Sequence, residues 1–220
     1  MKAYSKSILE NIKTLMLDMD GTVLDLAYDN YIWLEHIPRQ YAFENDIPYE
    51  NACQILADKF ALAQGHLRWY CLDYWSEQLG IDVIQMHYDV SHRIDYLPGA
   101  LEFLKRAYSN KVRVLLVTNS HRETLKLKDA VTGLGDYFDG IYSSHDYGYA
   151  KENQHFWGAL QEDVNFDLDT TLFVDDSSYV LRSAEKYGIE MLLKVTQPDT
   201  RVEEKNSSEF EGIKSVSEIS

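Results

Sequence analysis

Asp18-Met19-Asp20-Gly21-Thr22 sets two carboxylates two positions apart at the end of a short apolar run. Alternate residues of an extended chain point the same way, so Asp18 and Asp20 would project into one crevice. Two such neighbours repel unless a cation or a shared proton relieves them, and Gly21 permits a sharp turn beside them. In isolation the segment reads equally well as a solvated acidic turn. Three further segments carry matching chemistry. Thr118-Asn119-Ser120 offers hydroxyl and amide groups suited to phosphate oxygens. Lys151, in Gly148-Tyr149-Ala150-Lys151-Glu152-Asn153, offers a cation, although a lone lysine is most often a surface residue. Asp175-Asp176-Ser177 supplies a second carboxylate pair. Four carboxylates at one edge need a metal to offset their repulsion, and an all-oxygen donor set favours a hard cation, Mg²⁺, over zinc or copper.

The flanking elements would bring these segments together. Five apolar runs read as strands: Thr14–Asp18, Val112–Thr118, Gly140–Ser143, Thr171–Asp175 and Met191–Val195. Their continuous apolarity suits parallel strands covered on both faces. Helical patterns run from Pro98 through Ala107, from about His121 to Val131 with Gly133 as a stop, from Asn153 to Glu162, and from Ser177 to Tyr187 with Gly188 as a stop. The alternation predicts an α/β fold, a doubly wound Rossmann-like parallel sheet. Ligands bind such sheets beyond the carboxyl ends of the strands, where all four segments fall.

The stretch from Ala27 to Tyr96 breaks the alternation. It carries no strand, and its apolar and aromatic residues (Ile55, Phe60 and Leu62, then Leu67, Tyr70, Cys71 and Tyr74) recur at helical spacing. About 70 residues is too long for a crossover. An inserted α-helical cap domain is predicted over residues 26–96, with residues 1–25 and 97–220 forming the core. The polar tail from Pro198 predicts at most a short helix or strand around Ile213 to Ile219.

A chain of 220 residues supports one core and a small accessory domain. Its net charge of −15 argues against nucleic acid or a membrane surface as partner. An anionic substrate must therefore be held by local positive charge. Cys53 and Cys71 form no CxxC and read as two buried thiols of a reducing compartment. No His/Cys cluster has the spacing of a zinc site. Met1 to Lys13 lacks an apolar run of signal-peptide length, and no later stretch approaches a membrane span, which predicts a cytoplasmic protein.

DMDGT, VTNS, YAKE and FVDDS together resemble, in order and spacing, the motifs of the haloacid dehalogenase superfamily. The resemblance covers nearly the whole chain. Glu152 departs from it, standing where a proline often follows the lysine, a change expected to alter loop stiffness more than chemistry. The resemblance implies a C1-type cap between the first and second motifs, and a phosphatase. Asp18 would be the nucleophile, forming an aspartyl-phosphate, and Asp20 the acid and base. Mg²⁺ would be held by Asp18, the Asp20 carbonyl, Asp176 and Asp175. Thr118, Lys151 and the backbone amides near Met19 and Asn119 would hold the transferring oxygens. Asp20 separates phosphatases from the dehalogenases of the superfamily, which do not need it.

On one helix His66, Trp69, Tyr70 and Asp73 would share a face, either stacking on and hydrogen-bonding a nucleobase or packing the cap. The runs LDMDGTVLDLAYDNYIW, HLRWYCLDYWSEQLGIDV and SSHDYGYAKENQHFW resemble bacterial nucleotidases that act on GMP and IMP. This implies a purine 5′-nucleotide as the small-molecule substrate and adds Asn30, in the first run, to the candidate substrate contacts. Two other readings stay open: a phosphatase or mutase for sugar phosphates or phosphoglycolate, and a non-catalytic phospho-ligand module. His121 reads as a helix-start residue, and Gly133-Leu134-Gly135 lacks the third glycine of a dinucleotide loop.

Overall fold

The structure, a computed structural model, describes residues 8–109, 112–205, 207 and 209–219. The first seven residues of the segment tested for a signal peptide lie outside it. Six strands, β1 (Thr14–Leu17), β2 (Arg113–Thr118), β3 (Gly140–Ser143), β4 (Thr171–Asp175), β5 (Met191–Val195) and β6 (Glu211–Ile213), form one sheet in the order β3-β2-β1-β4-β5-β6. Every neighbouring pair is parallel. The central register sets Leu17 of β1 opposite Leu116 of β2 and Val174 of β4. Asp18 therefore leaves β1 beside the carboxyl ends of its two neighbours.

The strands are apolar throughout because both faces are covered. Leu15 and Leu17 point into one buried cluster with Phe103, Leu104 and Leu125. Met16 points into the other, with Phe156, Trp157, Leu160 and Leu181. Fully burying each such side chain contributes about 1.5–3 kcal/mol. The tail adds β6 and then a single 3₁₀ turn, Val216–Glu218. The strand thus stands mostly ahead of the predicted range.

A single turn of helix, α1 (Ile8–Asn11), precedes β1. Between β1 and β2 the chain runs through α2 (Ala27–Tyr31), α3 (Ile37–Glu44), α4 (Tyr49–Ala63), α5 (Leu72–Leu79) and α6 (Val83–Asp89). A π turn, Ile32–His36, joins α2 to α3. The insert stands on a narrow stem: Asp25 N–H donates to the Asp95 carbonyl at 2.9 Å, and Leu97 N–H to the Val23 carbonyl at 3.0 Å. Its interior is built from Ala52, Leu56, Ala63, Leu72, Trp75 and Leu79. The face of α4 that turns inward carries Ala52 and Leu56, so Ile55 and Leu62 are exposed instead. Both cysteines are half-buried, not buried as predicted: Cys53 follows the inward-facing Ala52 and Cys71 precedes the buried Leu72, so each sits beside an inward position and not on it.

The core helices are α7 (Ala100–Ser109), α8 (Arg122–Thr132), α9 (Ser144–Tyr147), α10 (Gln154–Val164) and α11 (Ser178–Tyr187). α7 does not open at Pro98: Gly99 has φ +78°, which no right-handed helix accommodates, and the first helical residue is Ala100. Gly133 and Gly188 end α8 and α11 in left-handed caps, as their positions predicted. Among the described residues no helix is long and apolar enough to cross a membrane.

Candidate active site

The turn after β1 is shaped by Met19 and Gly21. The Met19 carbonyl accepts from Val23 N–H at 2.9 Å and Leu24 N–H at 2.8 Å, while its side chain is fully buried. Gly21 has φ +81°, and a Cβ there would stand 2.9 Å from the Asp176 carboxylate. Both facts require glycine at this position. The turn thereby presses the DMDGT segment against the end of β4.

Asp18, Asp175 and Asp176 each offer a carboxylate oxygen within 4.8 Å of the other two. Lys151 stands opposite them and is 2% exposed. Its Nζ donates to Asp18 Oδ1 at 2.5 Å, to Asp175 Oδ2 at 2.8 Å and to the Val117 carbonyl at 3.0 Å. One cation faces three carboxylates, so the group carries excess negative charge. Burial pushes the Asp18 carboxyl well above the ordinary range, partly opposed by Lys151 and reinforced by Asp175 and Asp176. Burial and then Asp175 push Asp176 up to about 7. Burial works against the charge on Lys151, but Asp175 and Asp18 outweigh it and raise its pKa.

The remaining motif residues hold this arrangement. Thr118 is buried and accepts from Ser120 N–H at 3.0 Å. Asn119 clamps the loop that carries the lysine: its Oδ1 accepts from Lys151 N–H at 2.9 Å and its Nδ2 donates to Glu152 Oε2 at 3.0 Å. Trp157 Nε1 fixes the same loop by donating to the Lys151 carbonyl at 2.8 Å. Asp175 accepts from Ser177 N–H at 2.7 Å, the first turn toward α11.

Asp20 stands apart from the carboxylate trio, with its Oδ1 2.7 Å from Lys128 Nζ. Both DMDGT carboxylates face one cavity, as their spacing predicted, but they have different partners there.

These groups form the floor of a cavity of about 460 Å³. Its opposite wall belongs to the insert: Trp33, Phe60, Gln64, Trp69, Tyr70 and Leu72. Trp33 and Trp69 lie near-parallel, 25° apart, with centroids 6.5 Å apart. Phe60 meets both edge-on, at 5.7 and 5.5 Å. Asn30 reaches the cavity too, with its Nδ2 2.7 Å from Asp199 Oδ2.

The predicted four-residue face of the insert does not form. Leu67–Tyr70 is a 3₁₀ turn, and Cys71, at φ −91° and ψ 111°, breaks the chain before α5 begins. Trp69 and Tyr70 reach the cavity, whereas His66 is exposed and off its wall. Asp73 turns instead to His121, 3.3 Å from its Nε2. His121 caps α8 as predicted, its Nδ1 accepting from Glu123 N–H at 3.4 Å. Contrary to the spacing argument against a His/Cys cluster, Cys71, Asp73 and His121 bring one donor atom each within 4.8 Å. Residues 50 positions apart are joined here by the fold, which spacing within a motif does not reveal.

Glu152 was read as a matter of loop stiffness, and this needs correcting. Its two oxygens accept from Asn119 Nδ2 and, at 2.7 Å, from Tyr70 OH, so it ties the insert to the core. Asp29 and Trp33 fall in the LDMDGTVLDLAYDNYIW run without being singled out there, and Lys128 and Phe60 are not among the predicted site residues. For Lys128 a signal existed: it lies three and four positions beyond Leu125 and Thr124, on the inward face of α8.

The family model for haloacid dehalogenase-like hydrolases matches residues 12–188. The GMP/IMP nucleotidase YrfG of Escherichia coli is 38% identical over 196 residues, 89% of this chain and 88% of that protein. A haloacid dehalogenase phosphatase from Thermococcus onnurineus superposes with a TM-score of 0.76 at 17% identity, over 93% of this chain and 94% of that one. A β-phosphoglucomutase-like protein from Thermotoga maritima does so with a TM-score of 0.62 at 18% identity, over 90% and 89%. The chain belongs to the haloacid dehalogenase-like hydrolases.

Proposed function

We propose that the protein is a Mg²⁺-dependent nucleotidase that hydrolyses purine 5′-monophosphates to nucleoside and phosphate. One observation carries the reading: a single cavity joins the Asp18–Lys151 floor to a wall of Trp33, Phe60 and Trp69. The phosphate-handling groups alone would suit any phosphomonoester. The aromatic wall adds a flat apolar surface of the kind on which a base stacks, and the nucleotidase relative supports the same substrate class.

The carboxylate trio fits a hard divalent cation: all donors are oxygens, they converge, and they outnumber Lys151. Asp18, Asp175 and Asp176 would hold Mg²⁺ together with the Asp20 carbonyl. When bound, the ion offsets the repulsion between an anionic nucleophile and an anionic phosphate. Asp18 attacks phosphorus through a carboxylate oxygen, forming an aspartyl-phosphate. Asp20 delivers a proton to the departing nucleoside oxygen, then takes one from the water that hydrolyses the intermediate. Lys151, Thr118 and backbone amides near Met19 and Asn119 stabilise the transferring oxygens, each such donor contributing about 3 kcal/mol to the barrier reduction. The insert acts as the cap, closing the cavity over the base through Trp69 and Tyr70.

The test is phosphate release from IMP, GMP, AMP, pyrimidine 5′-monophosphates, glucose 6-phosphate and phosphoglycolate with Mg²⁺, alongside Asp18→Asn. The reading expects release from IMP and GMP to exceed that from the sugar phosphates, and no release from the variant. Equal rates across the panel would return the aromatic wall to packing alone.

A further inference from the structure

Lys128 lies on α8, outside all four motifs, yet it is among the most deeply buried charges of the chain, 1% exposed. Its Nζ donates to Asp20 Oδ1 at 2.7 Å and to both oxygens of Asp29, at 2.8 and 2.9 Å. The three ammonium protons are thereby all directed at carboxylates. Asp20 comes from the turn after β1, Asp29 from α2 at the root of the insert, and Lys128 from the core. Asp20 and Asp29 line the cavity, whereas Lys128 does not. It cannot touch a ligand there and can act only through the carboxylates it holds.

A buried lysine with two carboxylates is not explained by stability alone, since well-packed apolar residues serve a core as well or better. The arrangement does explain how Asp20 is kept away from the trio of Asp18, Asp175 and Asp176. One of its oxygens is pinned by Lys128, which fixes the side-chain rotamer and leaves the other oxygen for the cavity. Asp29 balances the charge of Lys128 and completes the clamp from the opposite side.

We infer that Lys128, clamped by Asp29, is the positioning residue that orients Asp20 for proton transfer. The inference rests on the assignment of Asp20 as acid and base in the phosphatase reading. Without the clamp, Asp20 would be free to swing toward the cation that the trio would hold, and would no longer reach the leaving oxygen.

Leaving groups separate this role from a merely structural one. A nucleoside alkoxide needs a proton as it departs, whereas 4-nitrophenolate does not, so the first step on 4-nitrophenyl phosphate is insensitive to Asp20. In Lys128→Met, turnover of IMP is expected to fall of order 10²-fold, the range in which positioned acid–base groups contribute. With 4-nitrophenyl phosphate the same variant should release a rapid burst of nitrophenol followed by a slow steady state, because the second step still needs Asp20 as base. Lys128→Arg should recover part of the IMP rate. The double variant Lys128→Met/Asp29→Asn removes both buried charges and keeps the test open if the single variant is unstable. Adding Lys128→Met to Asp20→Asn should cost no further activity, since both act at one group. Multiplicative losses in that pair, or equal losses in the burst phase and in IMP turnover, would overturn the inference alone. A wild-type protein inert toward every ester would overturn the phosphatase reading and this inference with it.

Discussion

The Tyr70 hydroxyl donates to Glu152 Oε1 at 2.7 Å, and this contact joins the aromatic insert to the loop that carries Lys151. Burial and the facing Glu152 carboxylate both push the Tyr70 phenol well above its ordinary range, so it remains a donor at any working pH. A bond from a neutral donor to a carboxylate contributes about 1.5–3 kcal/mol. Tyr70→Phe is accordingly expected to lower kcat/KM for a purine nucleotide by about ten-fold or more, mostly through KM. Steady-state kinetics would check this, run well below the lowered melting temperature that loss of the bond should also bring.

Lys151→Met leaves the Asp18 and Asp175 carboxylates buried without their partner. Breaking such a pair typically costs about 3–5 kcal/mol. The metal-free variant should melt well below wild type and should show no phosphate release. Because Mg²⁺ would then be the only cation facing the trio, it should raise the melting temperature of the variant by more than that of wild type. Scanning calorimetry with Mg²⁺ and with EDTA reads both effects.

Gly21→Ala places a side chain at φ +81° and a Cβ 2.9 Å from the Asp176 carboxylate. The backbone cost alone is about 1–2 kcal/mol. Displacement of Asp176 should also weaken cation binding, so the Mg²⁺-induced rise in melting temperature should shrink along with activity. An active variant with a normal Mg²⁺ response would show that the turn relaxes without moving Asp176.

Trp33 and Trp69 form the wall opposite the phosphate floor. Loss of one stacking ring costs about 1–3 kcal/mol per base. Trp33→Ala or Trp69→Ala should raise KM for IMP by about ten-fold or more while changing 4-nitrophenyl phosphate hydrolysis little. Equal losses on both substrates would mean that the two rings serve only to pack Phe60 and Trp75.

His87 supplies a prediction on pH. It is 1% exposed, and burial lowers its pKa to about 3, with Lys128 adding to the shift. Unfolded, the same imidazole titrates near about 6.5. Below that value the unfolded chain takes up a proton that the folded chain refuses, so stability is lost as pH falls from 6.5 toward 3. The slope is about 1.4 kcal/mol per pH unit. Asp18 and Asp176, whose pKa values are raised, act in the opposite sense, so the difference between wild type and His87→Gln is the informative quantity. Urea titrations at pH 7 and pH 5 should show the variant losing less stability than wild type on acidification.

The sheet and its site were legible in the sequence because their signals are local. Five apolar runs coincide with β1 to β5 to within one residue, and the chemistry lies at their ends. What was hidden depends on distant partners. The inward face of α8 marks Lys128 as buried, but its pairing with Asp20 and Asp29, about 100 positions earlier, has no local signal. The continuous helix expected through His66 and Asp73 fails at Cys71, where no glycine or proline marks the break. Glu152 looked like a substitution in a loop because its partner, Tyr70, belongs to another element.

The stem formed by Asp25, Asp95, Val23 and Leu97 bears on how the chain reaches this structure. Pairing β1 with β2 sets Leu17 beside Leu116, which closes a loop of about 100 residues. A preformed insert presents residues 25 and 95 as neighbours and shortens the remaining free chain to about 30 residues. By the logarithmic dependence of closure entropy on loop length, this lowers the barrier to sheet assembly by about 1 kcal/mol. The helices that follow β1 are made of local contacts, which form faster than parallel strand pairing. An insert-first order of assembly is therefore expected, in which the part of the molecule proposed to choose the substrate also brings the strands of the catalytic end into register.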